Sequence, residues 1–224
     1  TITPFLTSRA FEQIRLDICY PNLNVLIVGT GAGLSYSRLG PTHHSLEDLG
    51  LMQSLPNLDI FCPGDNVELE KILPNLFKYN KPCYLRLGKK GEPIINNKNK
   101  VINFYKPNII NNRGKIAILT IGNTLSIGKE VQIKLQKNKV KSSLISVHTF
   151  KPFNLNIYKK LFKRFNLICV IEEHYFEGGL AQKIKSNYDN LNIKNKTIIN
   201  FSVPFKFHVG LGEQRQARDI VNLN

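Results

Sequence analysis

The sequence predicts an α/β protein with two three-layer α/β/α domains, each built on a mostly parallel sheet. Short apolar runs alternate with segments of helical spacing along most of the chain, and one stretch rich in Asn, Lys and Pro interrupts this alternation. Such alternation is typical of parallel strands joined by helices that cover both faces of a sheet. We therefore place the first domain at residues 1–95, a linker at residues 96–113 and the second domain at residues 114–224.

The first domain begins with a helix-like pattern and continues with three predicted strands. Residues 25–28 are wholly apolar and lead into a glycine-rich loop, which is typical of a buried strand. Residues 45–55 place their apolar side chains at helical spacing. The remaining predicted strands lie at residues 58–62 and 83–87, and a helix that starts after Asp65 separates them.

The second domain is predicted from the same alternation of short apolar runs and helical segments. Its predicted strands lie at residues 116–121, 143–147, 167–171 and 197–202. Its predicted helices lie at residues 124–135 and 155–165, after Gly178, and at the end of the chain. This order predicts a second parallel sheet with helices on both faces.

The composition excludes several classes of protein. The chain has a net charge of +15, but its basic residues are spread through Lys- and Asn-rich stretches without interleaved aromatic residues. We therefore predict a solvated basic surface and no nucleic-acid partner. The chain has no apolar run of about 18 residues and no secretory signal pattern, which predicts no membrane partner and a cytoplasmic location. Because it starts at Thr1, inside a helix-like pattern, we expect further sequence upstream.

The four cysteines lie in apolar segments without the paired spacing of a metal or disulfide site. They are Cys19, Cys62, Cys83 and Cys169. The last three fall within predicted strands, where the expected role is that of a small buried hydrophobic side chain.

The candidate chemistry starts at residues 40–48, whose order is Gly-Pro-Thr-His-His-Ser-Leu-Glu-Asp. These residues follow a predicted strand and a glycine-rich loop and lead into a helix, and ligands of α/β sheets bind at such turns. A histidine there can hydrogen-bond a substrate oxygen or shuttle a proton near neutral pH. From spacing alone, His43 or His44 can equally cap or pack the start of the helix, and both interpretations stay open.

An ordered set of short motifs resembles the transketolase family over nearly the whole chain. In the first domain these motifs are Ser8-Arg-Ala-Phe-Glu-Gln-Ile-Arg15, Gly40-Pro-Thr-His43, Glu47-Asp48, Leu55-Pro-Asn57 and Pro63-Gly-Asp65. In the second domain they are Lys151-Pro152, Ile171-Glu-Glu-His174, Gly178-Gly-Leu180 and residues 204–212. No single motif is specific, and the order of the whole set carries the resemblance to the pyrimidine-binding and C-terminal domains of the family.

The resemblance implies a transferase that moves a two-carbon ketol unit between sugar or sugar-phosphate substrates, with thiamine diphosphate and Mg²⁺ as cofactors. In this family the pyrimidine-binding domain of one subunit meets the diphosphate-binding domain of another. The implied partner is therefore a second copy of the chain in a homodimer, or a separate diphosphate-binding subunit. Deoxyxylulose-phosphate synthases and 2-oxoacid dehydrogenase β subunits share the two domains and remain alternatives.

The resemblance also implies roles for individual residues. His43 matches the substrate-contacting histidine of the Gly-x-Thr-His motif, and Phe5 matches an aromatic residue that packs on the aminopyrimidine ring. Lys89 matches the basic residue that binds a sugar phosphate, and Arg86 and Arg9 are further candidates for that pocket. Core packing is the alternative for Phe5, and a surface cation is the alternative for Lys89 and Arg86.

The chain departs from the family pattern at several positions. Leu39 stands where transketolases usually carry an acid and Gly31 where they carry a histidine, so we expect a substrate other than the usual pentose phosphates. In the family, the glutamate that activates the cofactor lies upstream of the Phe5 position, and the Gly-Asp-Gly metal motif does not occur here. The resemblance therefore implies that this chain alone is inactive and that a partner chain or upstream sequence supplies these groups.

Residues 171–174, Ile-Glu-Glu-His, combine two carboxylates and a histidine after a predicted strand, which is compatible with a metal or acid–base role. The family's C-terminal domain lacks the core catalytic groups, so the resemblance favours a structural or interface role for these residues. An interaction subunit that keeps the fold without catalysis remains the alternative to an enzyme.

Overall fold

A computed structural model of the chain describes residues 1–223. The described residues form nine strands, which are β1 (Leu26–Gly29), β2 (Asp59–Phe61), β3 (Cys83–Arg86), β4 (Asn108–Ile109), β5 (Ile116–Thr120), β6 (Ser142–Ser146), β7 (Thr149–Lys151), β8 (Leu167–Tyr175) and β9 (Thr197–Val203). Their α-helices are α1 (Thr3–Thr7), α2 (Phe11–Gln13), α3 (Asp48–Gln53), α4 (Asn66–Phe77), α5 (Leu125–Lys137), α6 (Leu155–Phe162), α7 (Leu180–Ser186), α8 (Tyr188–Leu191) and α9 (Gln214–Ile220). Within residues 1–223, no helix is both long enough and apolar enough to cross a lipid bilayer.

The first sheet contains four strands in the order β1-β3-β2-β7. β1, β3 and β2 are parallel, and Gly29 at the end of β1 pairs with Arg86 at the end of β3. β7 runs antiparallel to β2 and comes from the second half of the chain. The two halves therefore share a sheet, a connection that the sequence does not predict because the Thr-Phe-Lys sequence of β7 is not an apolar run.

The second sheet contains five strands in the order β4-β6-β5-β8-β9. Its last four strands in this order are parallel, whereas β4 is antiparallel to β6. β4 lies within residues 96–113, so the stretch that we predicted as a linker adds an edge strand to this sheet. Asn96, in the same stretch, is buried, and its backbone N–H donates to Asp65 Oδ2 at 2.7 Å. The composition of this stretch does not predict these contacts, because they are formed by backbone and amide groups and not by apolar side chains.

The helices and strands lie close to their predicted positions, with two informative differences. α3 is shorter than the predicted helix at 45–55, because Ser45 instead pairs with the backbone of Gly33 in an antiparallel bridge. β8 is longer than predicted and continues to Tyr175, past an irregularity between Ile171 and Tyr175. The extension carries the side chains of residues 172–174 into the interior.

The largest group of buried apolar side chains joins the two halves of the chain. It includes Leu49 and Met52 from α3, Phe150 from β7 and Val170 from β8. Burial of apolar surface stabilises a fold in proportion to the area removed from water. The shared strand and the shared core therefore fix the position of β8 relative to the first sheet.

The cysteines are free thiols in mostly buried positions. Cys62 and Cys83 are buried, and burial raises the pKa of each thiol to about 12. Both thiols therefore stay protonated at neutral pH, and the prediction that they act as small hydrophobic side chains is confirmed. Cys169 is only half-buried.

Candidate active site

A group of aromatic and cationic side chains surrounds His43 near the carboxyl ends of β1 and β3. The rings of Phe5 and Tyr36 approach the His43 ring edge-on, with centroid distances of 4.9 Å and 6.3 Å. Arg9 Cζ lies 4.7 Å from the centroid of the Phe5 ring, and Lys89 Nζ lies 5.2 Å from that of Tyr36. Both distances allow a favourable interaction between a cation and an aromatic face. We call these five residues the His43 cluster, and four of them are residues that the sequence predicted for the site.

Phe5 and Arg9 reach the cluster because the start of the chain is tied to the end of β1. The Thr3 N–H donates to the Thr30 carbonyl oxygen at 2.9 Å, and the Thr30 N–H donates to the Thr1 carbonyl oxygen at 2.9 Å. Pro4 suits the first turn of α1, where no backbone donor is needed. α1 therefore starts at the edge of the first sheet, and the half-buried Phe5 ring keeps part of its surface open to a ligand.

Tyr36 owes its position to Gly31. Gly31 has a φ of +79°, and a Cβ atom there would lie only 2.1 Å from Tyr36 Cε2. The Ala32 N–H donates to the Leu87 carbonyl oxygen at 2.9 Å, which holds the glycine-rich loop beside the segment that carries Lys89. The Tyr36 ring thus lies against the backbone of Gly31.

The imidazole of His43 has one nitrogen that forms no hydrogen bond with any described residue. Its Nδ1 lies 2.9 Å from Thr42 Oγ1, and this hydroxyl also lies 3.3 Å from the Leu39 carbonyl oxygen. The ring is half-buried, and its Nε2 has no hydrogen-bond partner within residues 1–223. An imidazole held at one nitrogen and open at the other can accept or donate a proton at a ligand oxygen.

His44 has a different environment from its neighbour. Its ring is buried, and Nε2 lies 3.1 Å from the Ser37 carbonyl oxygen. Burial lowers the pKa of His44, despite the opposing effect of this hydrogen bond, and so favours the neutral ring. The packing role that the sequence left open for either histidine therefore belongs to His44.

The predicted substrate-binding role of Arg86 is wrong for the described structure, and so is its alternative as a surface cation. Its side chain is 1% exposed, whereas Lys89, three residues later, is exposed. Arg86 Nε donates to Asp48 Oδ2 at 2.7 Å and a terminal nitrogen donates to Asp48 Oδ1 at 3.1 Å. The Tyr84 hydroxyl donates to Asp48 Oδ2 at 2.8 Å. The first sheet therefore uses Arg86 as an internal counter-ion, because β3 turns this side chain into the core.

Burial and the ion pair together determine the protonation states of Asp48 and His174. Burial alone would raise the pKa of Asp48, but the Arg86 guanidinium outweighs this effect and holds that pKa below its ordinary value. His174, from β8, places Nε2 3.9 Å from Asp48 Oδ1, and burial lowers its pKa to about 4. Asp48 is therefore charged and His174 neutral near pH 7.

Glu173 of β8 ties the second half of the chain to the glycine-rich loop. Its carboxylate accepts hydrogen bonds from the Leu34 N–H at 2.5 Å, from a terminal nitrogen of Arg218 at 2.6 Å and from Gln214 Nε2 at 2.9 Å. A Cβ atom on Gly33 would come within 2.7 Å of Glu173 Cγ, so only glycine allows this approach. These contacts agree with the structural role that we predicted for residues 171–174.

A cavity of about 210 Å³ extends from the cluster along the carboxyl edge of the first sheet. Its walls include Thr30 after β1, Pro63 after β2 and the cations Lys89 and Lys90 after β3. Glu92 also lines it, and burial raises the pKa of that carboxyl to about 7. The cavity can hold a small polar ligand between the His43 cluster and the start of α4.

The described residues suit part of the predicted cofactor. The half-buried Phe5 ring offers a face for stacking on an aminopyrimidine ring. Within residues 1–223, no group of three or more His, Cys, Asp or Glu side chains is placed to hold a metal ion. The described residues therefore offer an aromatic face at Phe5 and no cluster of three or more such metal ligands.

Tyr36 and the ion pair of Asp48 with Arg86 were not predicted from the sequence. Tyr36 could have been found as an aromatic residue directly after the glycine-rich loop, where it can cover a ligand. The ion pair has no signal in the sequence, because its members lie 38 residues apart and meet only when β3 packs beside α3.

Comparison with known proteins matches both halves of the chain to one family. The family model described as "Transketolase, pyrimidine binding domain" matches residues 1–92, and the one described as "Transketolase, C-terminal domain" matches residues 106–208. Among curated proteins, the chain is 32% identical over 181 residues to one subunit of the apulose-4-phosphate transketolase of Actinobacillus succinogenes. This alignment covers 81% of the chain and 58% of the relative, so the chain spans little more than half the length of that protein.

Two further similarities concern a related enzyme and a solved structure. The chain is 31% identical over 218 residues to the 1-deoxy-D-xylulose-5-phosphate synthase of Dictyoglomus turgidum, which covers 96% of the chain and 35% of that enzyme. A solved structure described as a split-gene transketolase in an inactive beta4 tetramer superposes with a TM-score of 0.84 at 23% identity. The superposition covers the whole of this chain and 70% of the solved chain. At 23% identity, this similarity shows that the two chains share a fold.

Proposed function

Because this chain belongs to the transketolase family, we propose that it forms the pyrimidine-binding side of a thiamine-diphosphate enzyme that transfers a two-carbon ketol unit between sugar or sugar-phosphate substrates. The observation that carries this proposal is the His43 cluster. It combines an imidazole with an open Nε2, two aromatic rings and two cations at the carboxyl edge of a parallel sheet. Ligands of α/β proteins bind at this edge.

Each member of the cluster has a part in this proposal. Phe5 packs on the pyrimidine ring of thiamine diphosphate, which supplies the electron sink for cleavage next to a carbonyl group. His43 Nε2 hydrogen-bonds a donor hydroxyl or carbonyl oxygen and exchanges a proton there. Lys89, with Arg9 as the second cation, holds a phosphate group as a point charge. Tyr36 closes the side of the pocket beside Lys89 and limits the room for water.

We also propose that a separate diphosphate-binding subunit completes the active site and that the chain alone is inactive. Two facts support this arrangement: the described residues lack a metal site, and a similar curated protein is named as one subunit of a transketolase. A similar solved structure is described as an inactive tetramer of beta chains, which suggests the same behaviour for this chain without its partner. A homodimer with upstream sequence is the alternative assembly, and we place either assembly in the cytoplasm.

The substrate differs, in this proposal, from the pentose phosphates of common transketolases. Leu39 is exposed beside the motif that carries His43, and the Tyr36 ring lies against Gly31. Leu39 therefore provides an apolar side chain, and Gly31 no side chain, at positions where the family resemblance expects groups that bond sugar hydroxyls. A site without those groups favours a less hydroxylated donor or acceptor.

A deoxyxylulose-phosphate synthase activity is the second candidate. Its support is the similarity to the Dictyoglomus turgidum enzyme, which extends over 96% of this chain. Formation of 1-deoxy-D-xylulose 5-phosphate, assayed beside ketol transfer between sugars, distinguishes these candidates directly.

The test is a calorimetric titration of thiamine diphosphate and Mg²⁺ into the chain extended to its natural start. It is run with and without the candidate diphosphate-binding subunit. Binding only in the mixture, followed by ketol transfer that His43→Ala abolishes, is the expected result. Binding and turnover by the extended chain alone would instead support the homodimer. Absence of binding in every mixture would contradict the enzyme proposal and favour a non-catalytic interaction subunit.

A further inference from the structure

A second cavity, of about 850 Å³, lies beside the second sheet, away from the His43 cluster. It is bounded by the last turns of α5, by the start of β6 at Ser142 and by the loop that precedes β5. β5 and β6 are parallel, so this cavity lies at their amino ends. The His43 cluster lies at the carboxyl ends of β1 and β3, and the two sites therefore share no residue.

The floor of this cavity is a rigid pair of amide side chains. Asn111 Nδ2 donates to Gln132 Oε1 at 2.6 Å, and Gln132 Nε2 donates back to Asn111 Oδ1 at 2.8 Å. Gln132 Nε2 also donates to the Ser142 carbonyl oxygen at 3.0 Å, and the Leu144 N–H donates to Asn111 Oδ1 at 3.1 Å. The reciprocal pair is therefore attached to the backbone of β6, and its geometry is set before any ligand binds.

The loop that carries Arg113 is held equally firmly. The Arg113 N–H donates to Ser143 Oγ at 2.8 Å, and the same hydroxyl donates to the Arg113 carbonyl oxygen at 3.0 Å. Gly114 has a φ of +71°, and a Cβ atom there would lie 2.2 Å from the Lys141 carbonyl oxygen. The tight turn at Gly114 therefore brings the Arg113 segment against Lys141.

The charges around the cavity are all positive. Arg113, Lys129, Lys139 and Lys141 line it, and no Asp or Glu is among its lining residues. None of these four side chains forms an ion pair or hydrogen bond within residues 1–223. The hydroxyl of Ser142, which is 3% exposed, also lacks a partner. Four unpaired cations on a rigid polar floor repel one another, and a multivalent anion would relieve this repulsion.

We propose that this cavity, the basic groove, binds a small molecule that carries two or more linked phosphoryl groups. A polyphosphate group can contact several of the four cations at once, and the Arg113 guanidinium can bond two of its oxygens. The volume lies within the range of ordinary small-molecule sites. Ile110 and Val140 add an apolar wall beside the cations, which suits a ring attached to the phosphates.

The experiment titrates inorganic tripolyphosphate into the whole chain by calorimetry, with inorganic phosphate as the comparison ligand. We expect tripolyphosphate to bind and to raise the thermal midpoint of unfolding, since a ligand of the native state stabilises it. Lys139→Gln combined with Lys141→Gln removes two cations, and we expect about tenfold weaker binding from the lost charged contacts. The matched control is Lys160→Gln with Lys163→Gln, which removes the same charge from exposed positions at α6.

The control variant distinguishes binding of tripolyphosphate at the basic groove from non-specific attraction of the anion to a basic protein. Equal weakening in both double variants, or equal affinity for phosphate and tripolyphosphate, would overturn the proposal. Tighter binding of a single-stranded RNA oligomer that competes with tripolyphosphate would replace it with a nucleic-acid site. Arg113→Gln leaves both lysines in place and provides a second variant if the first fails to fold. The test needs no partner subunit and no turnover, so its outcome is independent of the proposed enzyme function.

Discussion

Two regions at the carboxyl edge of the first sheet contain the same kinds of side chain and use them differently. The His43 cluster contains a histidine, two aromatic residues and two cations with partly open surfaces. The buried network of Asp48, Tyr84, Arg86 and His174 also contains a histidine, an aromatic ring and a cation, together with a carboxylate, and its side chains have almost no exposure. The exposed side chains are available to a ligand, whereas the buried ones stabilise the fold. Variants in the two regions should therefore have different effects.

The largest expected effect is on stability in the buried network. Arg86→Met keeps much of the side-chain volume but leaves the Asp48 carboxylate buried without its partner. We expect a loss of about 3–5 kcal/mol in the free energy of unfolding, measured with urea. Lys89→Met, on the exposed side of the same segment, is the matched control and should change it by less than about 0.5 kcal/mol. Similar losses in both variants would show that the two regions do not differ in this way.

Substitutions of the two adjacent histidines should affect different properties, His43 the activity and His44 the stability. His43→Ala is expected to lower the kcat of the reconstituted enzyme by at least about a hundredfold, because its Nε2 is the open proton-transfer group of the cluster. His44→Ala should instead lower the thermal midpoint, since it removes a buried ring that contacts the Ser37 carbonyl oxygen. Full activity in the His43 variant would remove this residue from the mechanism.

Two buried residues of β8, His174 of the network and Glu172 beside it, predict opposed effects of pH on stability. Burial lowers the pKa of His174 from 6.5 to about 4, so the unfolded chain takes up that proton more readily and stability falls as the pH falls through this window. Burial raises the pKa of Glu172 from 4.5 to about 7, so this residue makes stability fall as the pH rises from 4.5 to 7. Each contributes up to about 3 kcal/mol at roughly 1.4 kcal/mol per pKa unit.

These two contributions partly cancel in the natural chain, and single variants should expose them. His174→Phe removes the His174 effect, so the slope of stability against pH should become more negative than in the natural chain between pH 4 and 6.5. Glu172→Gln removes the Glu172 effect, so this slope should become more positive than in the natural chain between pH 4.5 and 7. Urea unfolding of both variants and of the natural chain measures these changes, since other titrating groups such as Glu92 contribute equally to the slope of each protein. Changes of the same sign would contradict the assignment.

A smaller effect on stability is expected at the contact between Gly31 of the glycine-rich loop and Tyr36 of the His43 cluster. Gly31→Ala places a Cβ atom against the Tyr36 ring at a positive φ, which should cost roughly 1–2 kcal/mol of stability from the backbone strain alone. Adding Tyr36→Ala removes the clash but not the strain, so the double variant should recover part of the loss. Additive losses in the double variant would mean that Tyr36 does not lie against Gly31 in solution.

The smallest expected effect concerns phosphate recognition by Lys89. Lys89→Met should raise the KM for a phosphorylated substrate about tenfold, because it removes one charge-assisted contact. The KM for the unphosphorylated sugar should change little, and steady-state kinetics with both substrates measures the difference. Equal changes for the two sugars would assign Lys89 a role other than phosphate binding.

Much of the fold could be predicted because apolar periodicity and turn residues report local structure. The strands at residues 26–29, 83–86 and 116–120 are short apolar runs, and their positions agree with the prediction. β4 and β7 could not be predicted, because their sequences, Asn-Ile and Thr-Phe-Lys, are not apolar runs. Each depends on pairing with another strand, β4 with β6 and β7 with β2.

The candidate site could be predicted in part for a related reason. Motif order located Phe5, Arg9, His43 and Lys89, and the structure brings these four residues together. Tyr36 was missed because its role depends on the empty space at Gly31. Arg86 was misassigned because a strand alternates its side chains between two faces, and sequence alone does not show which face a strand end turns to the core.

The amino-acid sequence by itself determined the alternation of strands and helices, the family and the neighbourhood of His43, since these depend on local pattern and motif order. The tertiary structure decided which cations are buried, that β7 joins the first sheet, and that β8 of the second half reaches the glycine-rich loop through Glu173. The ion pair that buries Arg86 joins residues 38 positions apart, and the other two outcomes depend on contacts between residues about 90 to 140 positions apart. Such contacts form only when the whole chain has packed, so no local pattern records them.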